Sequence, residues 1–287
     1  MNNTDPAYFG GEVLNVQMEG RFSGTLLVSD IDGTLVAADQ RIPQANCDAV
    51  AQYCAQGGRF ALASGRTHST AGRITRQLMP NAPCIFINGA EIYDLQSERT
   101  LYQRFLAPEL DDVLRAYGAR FPEAGVLVFT ADRQYVIQGN RWTDEHDVLT
   151  GVPSVPITWD ELPLRKYKLV FMAPADTVQR MMRYCAEQND PRVEYNRSWP
   201  EYFELMPRGG NKGEALIQLC AQLGIPRERC FAIGDYDNDA EMLRAAGISA
   251  APQNASAAAR AAAGMTVCDC ESGAVADFLR RIEQNGI

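Results

Sequence analysis

The chain has 287 residues, 46 % of them hydrophobic and 22 % charged, a balance that excludes disordered and fibrous classes and leaves room for one large or two modest domains. Its formal net charge of −9 opposes nonspecific binding to nucleic acid or anionic membranes, although a locally positive site for a phosphorylated substrate stays open. No run approaches the roughly 20 continuous apolar residues of a membrane span.

The elements alternate from the start. Thr25–Ser29 is an apolar run closed by acidic and glycine residues, which suits a strand buried on both faces. Pro43–Ala55 repeats apolar residues at helical spacing and stops at Gly57-Gly58. Phe60–Ala63 is a second strand leading into Ser64-Gly65-Arg66, His68–Leu78 a helix ended by Pro80, and Cys84–Ile87 a third strand running into Asn88-Gly89. Three strand–helix units in succession predict a parallel, doubly wound sheet.

From Glu91 to about Met206 the texture changes to strand pairs, Glu91–Asp94 with Thr100–Gln103 and Val126–Thr130 with Gln134–Gln138, and two helices starting near Pro108 and Pro174. Returning strands predict a mostly antiparallel α+β module. Glu201–Glu204 reads as a strand with alternating faces. Trp142, Trp159 and Trp199 read as core before substrate wall, and His68 as a helix-surface residue. Alternation then resumes: helix Lys212–Leu223, strand Cys230–Ile233 opening into Gly234-Asp235, helix Ala240–Ala246, strand Gly247–Ala251, and helices Ala255–Ala263 and Gly273–Gln284. The expected organisation is an extension at residues 1–24, a parallel domain from residues 25–88 and 207–287, and an inserted module at residues 89–206. The N-terminus lacks a basic start followed by an apolar block, so a cytoplasmic protein is expected, with its eight cysteines free.

Only two histidines are present, His68 and His146, so carboxylates must carry hydrolytic chemistry. Open parallel sheets bind ligands at the carboxyl ends of their strands. Asp30 and Asp32 follow the first strand, Ser64 the second, Asn88 the third, and Asp235, Asn238 and Asp239 the strand after the insert, while Lys212 begins a helix. Converging carboxylates repel one another unless a hard cation joins them, and magnesium takes oxygen ligands. Asp30 can attack phosphorus, and Asp32 can protonate the leaving oxygen and then activate water. Ser64 and the amides after it, through Gly65 and Arg66, can receive phosphate at a helix start. Lys212 supplies positive charge. Asp235 holds metal, with Asn238 and Asp239 extending the cluster. Arg66 either contacts substrate or pairs with an acidic neighbour.

Asp30-Ile-Asp32-Gly-Thr-Leu, Ala-Ser64-Gly-Arg66, Asn211-Lys212-Gly and Gly-Asp235-Tyr-Asp-Asn238-Asp239 resemble the four ordered motifs of the haloacid dehalogenase superfamily. Asn88-Gly89-Ala90 and the long insert are similar to its Cof-type phosphatases with a large cap. The resemblance implies a Rossmann-like core with an α+β cap, Asp30 as nucleophile and Asp32 as general acid/base. It also implies magnesium at Asp30, the Asp32 carbonyl and Asp235, phosphate on Ser64 and Lys212, and Asn88 and Asn238 near the substrate. The expected activity is hydrolysis of small phosphate monoesters, such as phosphosugars or cofactor phosphates, by a monomer or weak homo-oligomer without nucleic-acid or membrane partners. The alternatives are a phosphotransferase or mutase of the same superfamily, or a phosphometabolite-binding regulator.

Overall fold

The computed structural model describes residues 20–286. In chain order it places β1 (Leu26–Ser29), α1 (Gln44–Ala55), β2 (Arg59–Leu62), α2 (Gly72–Leu78), β3 (Cys84–Phe86), β4 (Glu91–Asp94) and β5 (Arg99–Gln103). The insert continues with α3 (Asp111–Arg120), β6 (Gly125–Phe129), β7 (Gln134–Gln138), α4 (Arg141–Thr150), β8 (Val155–Pro156), β9 (Lys168–Met172), α5 (Ala175–Gln188), β10 (Val193–Trp199) and β11 (Tyr202–Pro207). The return comprises α6 (Lys212–Leu223), β12 (Cys230–Ile233), α7 (Ala240–Ala245), β13 (Ile248–Pro252), α8 (Ala257–Ala262), β14 (Met265–Val267) and α9 (Ala274–Gln284).

The first sheet is parallel, in the order β14-β13-β12-β1-β2. Its central strands are buried along their whole length, because α1 and α9 pack together on the structure and α6 packs on α7, so that both faces are covered. β3 meets this sheet through a parallel bridge between Ala63 and Ile85 and forms an antiparallel sheet with β4 and β5. The β4–β5 hairpin packs into the same hydrophobic cluster as the parallel sheet through Ile92, Tyr93 and Tyr102.

The second large sheet has the order β10-β11-β9-β6-β7-β8. Leu114, Tyr117, Val178 and Met181 of α3 and α5 fill one face of it with Val126, Phe171 and Phe203. Leu127, Phe129, Val170 and Met172 lie on the other, beside Trp142 of α4. The sequence spacing marks two helices here, and α4 is a third. It is weakly amphipathic, but Asn140 and Thr143 close a capping box at its start and Gly151 ends it at φ 68°.

Three local expectations change. Most of the 1–24 extension lies outside the described residues, but Phe22 is buried against Tyr53, ring centroids 4.7 Å apart. The helix expected over 68–78 begins only at Gly72, so His68 lies before it, stacked on Tyr93 and 3.0 Å from the buried Glu91. Trp142 and Trp159 pack against core clusters, whereas Trp199 is 54 % exposed. Among the described residues no helix is long and apolar enough to cross a membrane, and all eight cysteines are free.

His146 of α4 stands edge-on to Phe129 and Tyr202, and burial, reinforced by the nearby Lys168, pushes its pKa down to about 4. The unfolded chain binds this proton near its ordinary pKa of about 6.5, so the stabilisation is complete above that pH and is lost as pH falls towards 4. His146→Gln should flatten the loss of unfolding free energy between pH 7 and pH 4.5 by on the order of 2 kcal/mol. Parallel pH dependences of urea unfolding in the two proteins would remove the imidazole as the cause.

Candidate active site

β1 and β12 are neighbours in register, Ser29 beside Ile233, so the residues that follow them emerge together. Asp30 donates its backbone N–H to the Ile233 carbonyl at 2.9 Å, and Asp235 lies two residues beyond that strand. Gly33, at φ 85°, turns the chain beside Asp235, where a Cβ would overlap the Asp235 carboxylate. Thr34 then donates its hydroxyl to Asp235 Oδ1 at 2.8 Å.

Lys212 opens α6 with its ammonium 2.6 Å from Asp30 Oδ1 and 2.6 Å from Asp239 Oδ1. The other Asp239 oxygen accepts the backbone N–H groups of Asp235 and Tyr236, each at 3.0 Å. All four side chains are buried. Burial, with Asp239 as the next cause, raises the Asp30 pKa well above the carboxylate range, against the pull of Lys212. The same two causes lift Asp235 to about 7. Burial alone would lower Lys212, but Asp239 and Asp30 outweigh it and hold the ammonium charged.

Ligand atoms of Asp30, Asp235 and Asp239 lie within 4.8 Å of one another. Three carboxylates against one ammonium leave an excess of negative charge in a site shut off from water. An all-oxygen donor set with that excess fits a hard divalent cation, and magnesium suits it. The residues therefore match the expected metal.

The remaining predicted residues fall into two groups. Asn88, fully buried at φ 54°, accepts from Asn238 Nδ2 at 2.9 Å and donates to Glu204 at 2.6 Å, and Gly65 leaves the room that Asn88 occupies. Asp32 is held by Arg66, which grips both its oxygens, at 2.8 and 2.5 Å. Ser64 is buried after β2 and accepts the Arg66 backbone N–H at 3.2 Å. The chain bends at Gly65 and Arg66 and α2 starts only at Gly72, so Ser64 does not stand at the expected helix start.

Sequence reasoning missed Thr34, Lys168 and Glu204. Lys168 and Glu204 form a buried ion pair at 2.9 Å on the cap sheet, and Lys168 also donates to the Gly65 carbonyl at 3.2 Å. A signal existed for Lys168: a lysine opening a strand that is otherwise apolar, Leu169–Met172, must pair with something.

A family profile for haloacid dehalogenase-like hydrolases matches residues 27–279. The chain is 29 % identical over 231 residues to the HMP-PP phosphatase of Yersinia pseudotuberculosis, covering 77 % of this chain and 81 % of that protein. It is 25 % identical over 268 residues to the chloroplastic endoribonuclease YBEY of Arabidopsis thaliana, covering 88 % of this chain but 45 % of that protein, so the chain spans less than half of that relative. A solved subclass IIB sugar phosphatase of the haloacid dehalogenase superfamily shares the fold, with a TM-score of 0.78 at 19 % identity over 90 % of this chain and 99 % of the other. The chain belongs to the haloacid dehalogenase-like hydrolase family. Within it, this chain combines a parallel core with an added sheet that forms a cap.

Lys212 is the cation that the buried Asp30 and Asp239 share. Lys212→Met should cost roughly 3–5 kcal/mol of unfolding free energy in chelator, as loss of one partner from a buried pair does. Adding Asp239→Asn should recover part of that cost, because one uncompensated charge is gone. Urea unfolding of the four proteins of this cycle decides it, and strictly additive effects would show that the two residues do not act as a unit.

Proposed function

We propose that the protein is a magnesium-dependent phosphatase of small phosphorylated metabolites, working through an aspartyl-phosphate on Asp30. The observation that carries this reading is the Lys212 ammonium held 2.6 Å from both Asp30 and Asp239 in a buried site. It keeps a nucleophilic carboxylate oriented where water cannot compete, and it offers positive charge to the phosphoryl oxygens.

In this reading an Asp30 oxygen bonds to phosphorus as the bond to the leaving oxygen breaks. Asp32 donates a proton to that oxygen. Asp32 then takes a proton from the water that attacks phosphorus and frees Asp30, with inorganic phosphate as the second product. Asp30, Asp235 and Asp239 would hold magnesium together with the Asp32 carbonyl. When bound, the metal supplies charge neutralisation and polarises the phosphoryl oxygens. Ser64 and Lys212 receive the phosphate, and Asn88 and Asn238 flank it. The Arg66 fork takes two of the roughly four acceptor positions of the Asp32 carboxylate, so Asp32 keeps positions from which to move protons. A phosphate dianion competes for the same planar fork, so Arg66 can turn to the substrate as it enters.

We divide the chain into a catalytic core, residues 25–88 and 207–287, and a cap within residues 89–206. The β4–β5 hairpin stays with the core through its shared cluster. Phosphosugars and cofactor phosphates are the substrate classes that such a cap would admit.

The test is phosphate release across a panel of metabolite phosphates. Wild type should act only with magnesium, and Asp30→Asn should lower turnover by at least about a thousandfold, the scale on which loss of a nucleophile acts. Substantial activity in Asp30→Asn, or full activity in chelator, would sink the mechanism.

A further inference from the structure

The surface that the cap turns towards the loop after β2 is built on the Lys168–Glu204 pair. Both side chains are almost excluded from solvent, on the sheet face opposite α3 and α5. Their hydrogen-bonding capacity decides what this surface can bind. An ammonium has three N–H groups. Lys168 directs two of them at Glu204 and at the Gly65 carbonyl, and its ammonium also lies 5.0 Å from the centroid of the Phe129 ring. Its charge is already balanced by Glu204.

Glu204 is different. Its Oε2 accepts from Lys168 at 2.9 Å and from Asn88 at 2.6 Å, and its Oε1 accepts from Ser198 at 2.5 Å. A carboxylate has about four acceptor positions, so one is open, on Oε1. Asn88 joins Glu204 to Asn238 of the acidic loop and packs on Gly65. The open acceptor therefore lies one side chain from both core loops that flank the nucleophile. His146, neutral and with its Nε2 unpartnered, stands near the same pair and adds no charge.

We infer that Glu204 is a specificity-determining residue of the cap: it accepts a hydrogen bond from the leaving group and so selects monoesters whose alcohol carries hydroxyl or N–H donors over those carrying a second carboxylate or phosphate. This rests on the phosphatase reading above and adds the substrate class to it. A buried lysine beside a phosphate site would ordinarily suggest a second anion subsite. Here its charge is neutralised by Glu204, and the carboxylate keeps an open acceptor.

The test compares kcat/KM of the full-length protein with magnesium on glycerol 1-phosphate, phosphoethanolamine and 3-phosphoglycerate, esters of similar size. Wild type should favour the first two by roughly tenfold or more, the scale of one charge-assisted hydrogen bond. Glu204→Gln keeps the shape but uncovers the Lys168 charge, so the preference should fall by about the same factor or reverse. Glu204→Asp should keep its direction, and circular dichroism melts establish that each variant is folded. Equal rates in wild type, a preference for 3-phosphoglycerate, or an unchanged ratio in Glu204→Gln would overturn the inference. No release from any ester, p-nitrophenyl phosphate included, would instead overturn the phosphatase reading itself.

Discussion

The structure depends on one ammonium. Lys212 sits fully buried between Asp30 and Asp239, at the start of α6, where the helix dipole alone would disfavour a cation. The two carboxylates more than offset that, and without Lys212 three acidic groups would share a site with no cation at all. Chain topology is arranged to meet this requirement. β1 and β12 must be adjacent to bring Asp30 and Asp235 together, and α6 must enter from the far end of the insert to deliver Lys212. Its own start is fixed by Asn211, which accepts the Glu214 N–H, and by Gly89, where a Cβ would overlap the Asn211 carbonyl.

The same requirement explains which parts were legible in the sequence. Buried parallel strands read as continuous apolar runs, and the polar residues after them mark where the runs end. Asp30, Asp235, Asp239 and Lys212 were therefore readable as one cluster before any geometry was known. What spacing did not give was direction. Asp32 and Arg66 were visible as motif members, but their mutual grip depends on a bend at Gly65 and Arg66 that spacing does not reveal.

The cap was less legible for a physical reason. Its antiparallel strands alternate faces, so a one-residue ambiguity in register exchanges the helix-packed side for the side that meets the core. Glu204 and Phe203 are adjacent in sequence, yet Phe203 fills the cluster with α3 and α5 while Glu204 reaches Asn88. Trp199 shows the same limit. Its bulk suggested core, but the irregular pairing between Arg197 and Trp199 turns it outwards, 6.4 Å from Tyr236 of the acidic loop.

Charge balance also constrains the cap. A lid closing over a site with excess negative charge meets repulsion if it brings a lone carboxylate, and it incurs desolvation if it brings a lone lysine. A paired Lys168 and Glu204 avoid both, since the pair is neutral when it docks. The price is that either partner alone becomes a buried uncompensated charge. That makes the pair a poor place for gradual change and, in the reading proposed above, a good place for selectivity: the chemistry would stay fixed on Asp30 and Lys212 while the open Glu204 acceptor would bear on which alcohol is accepted.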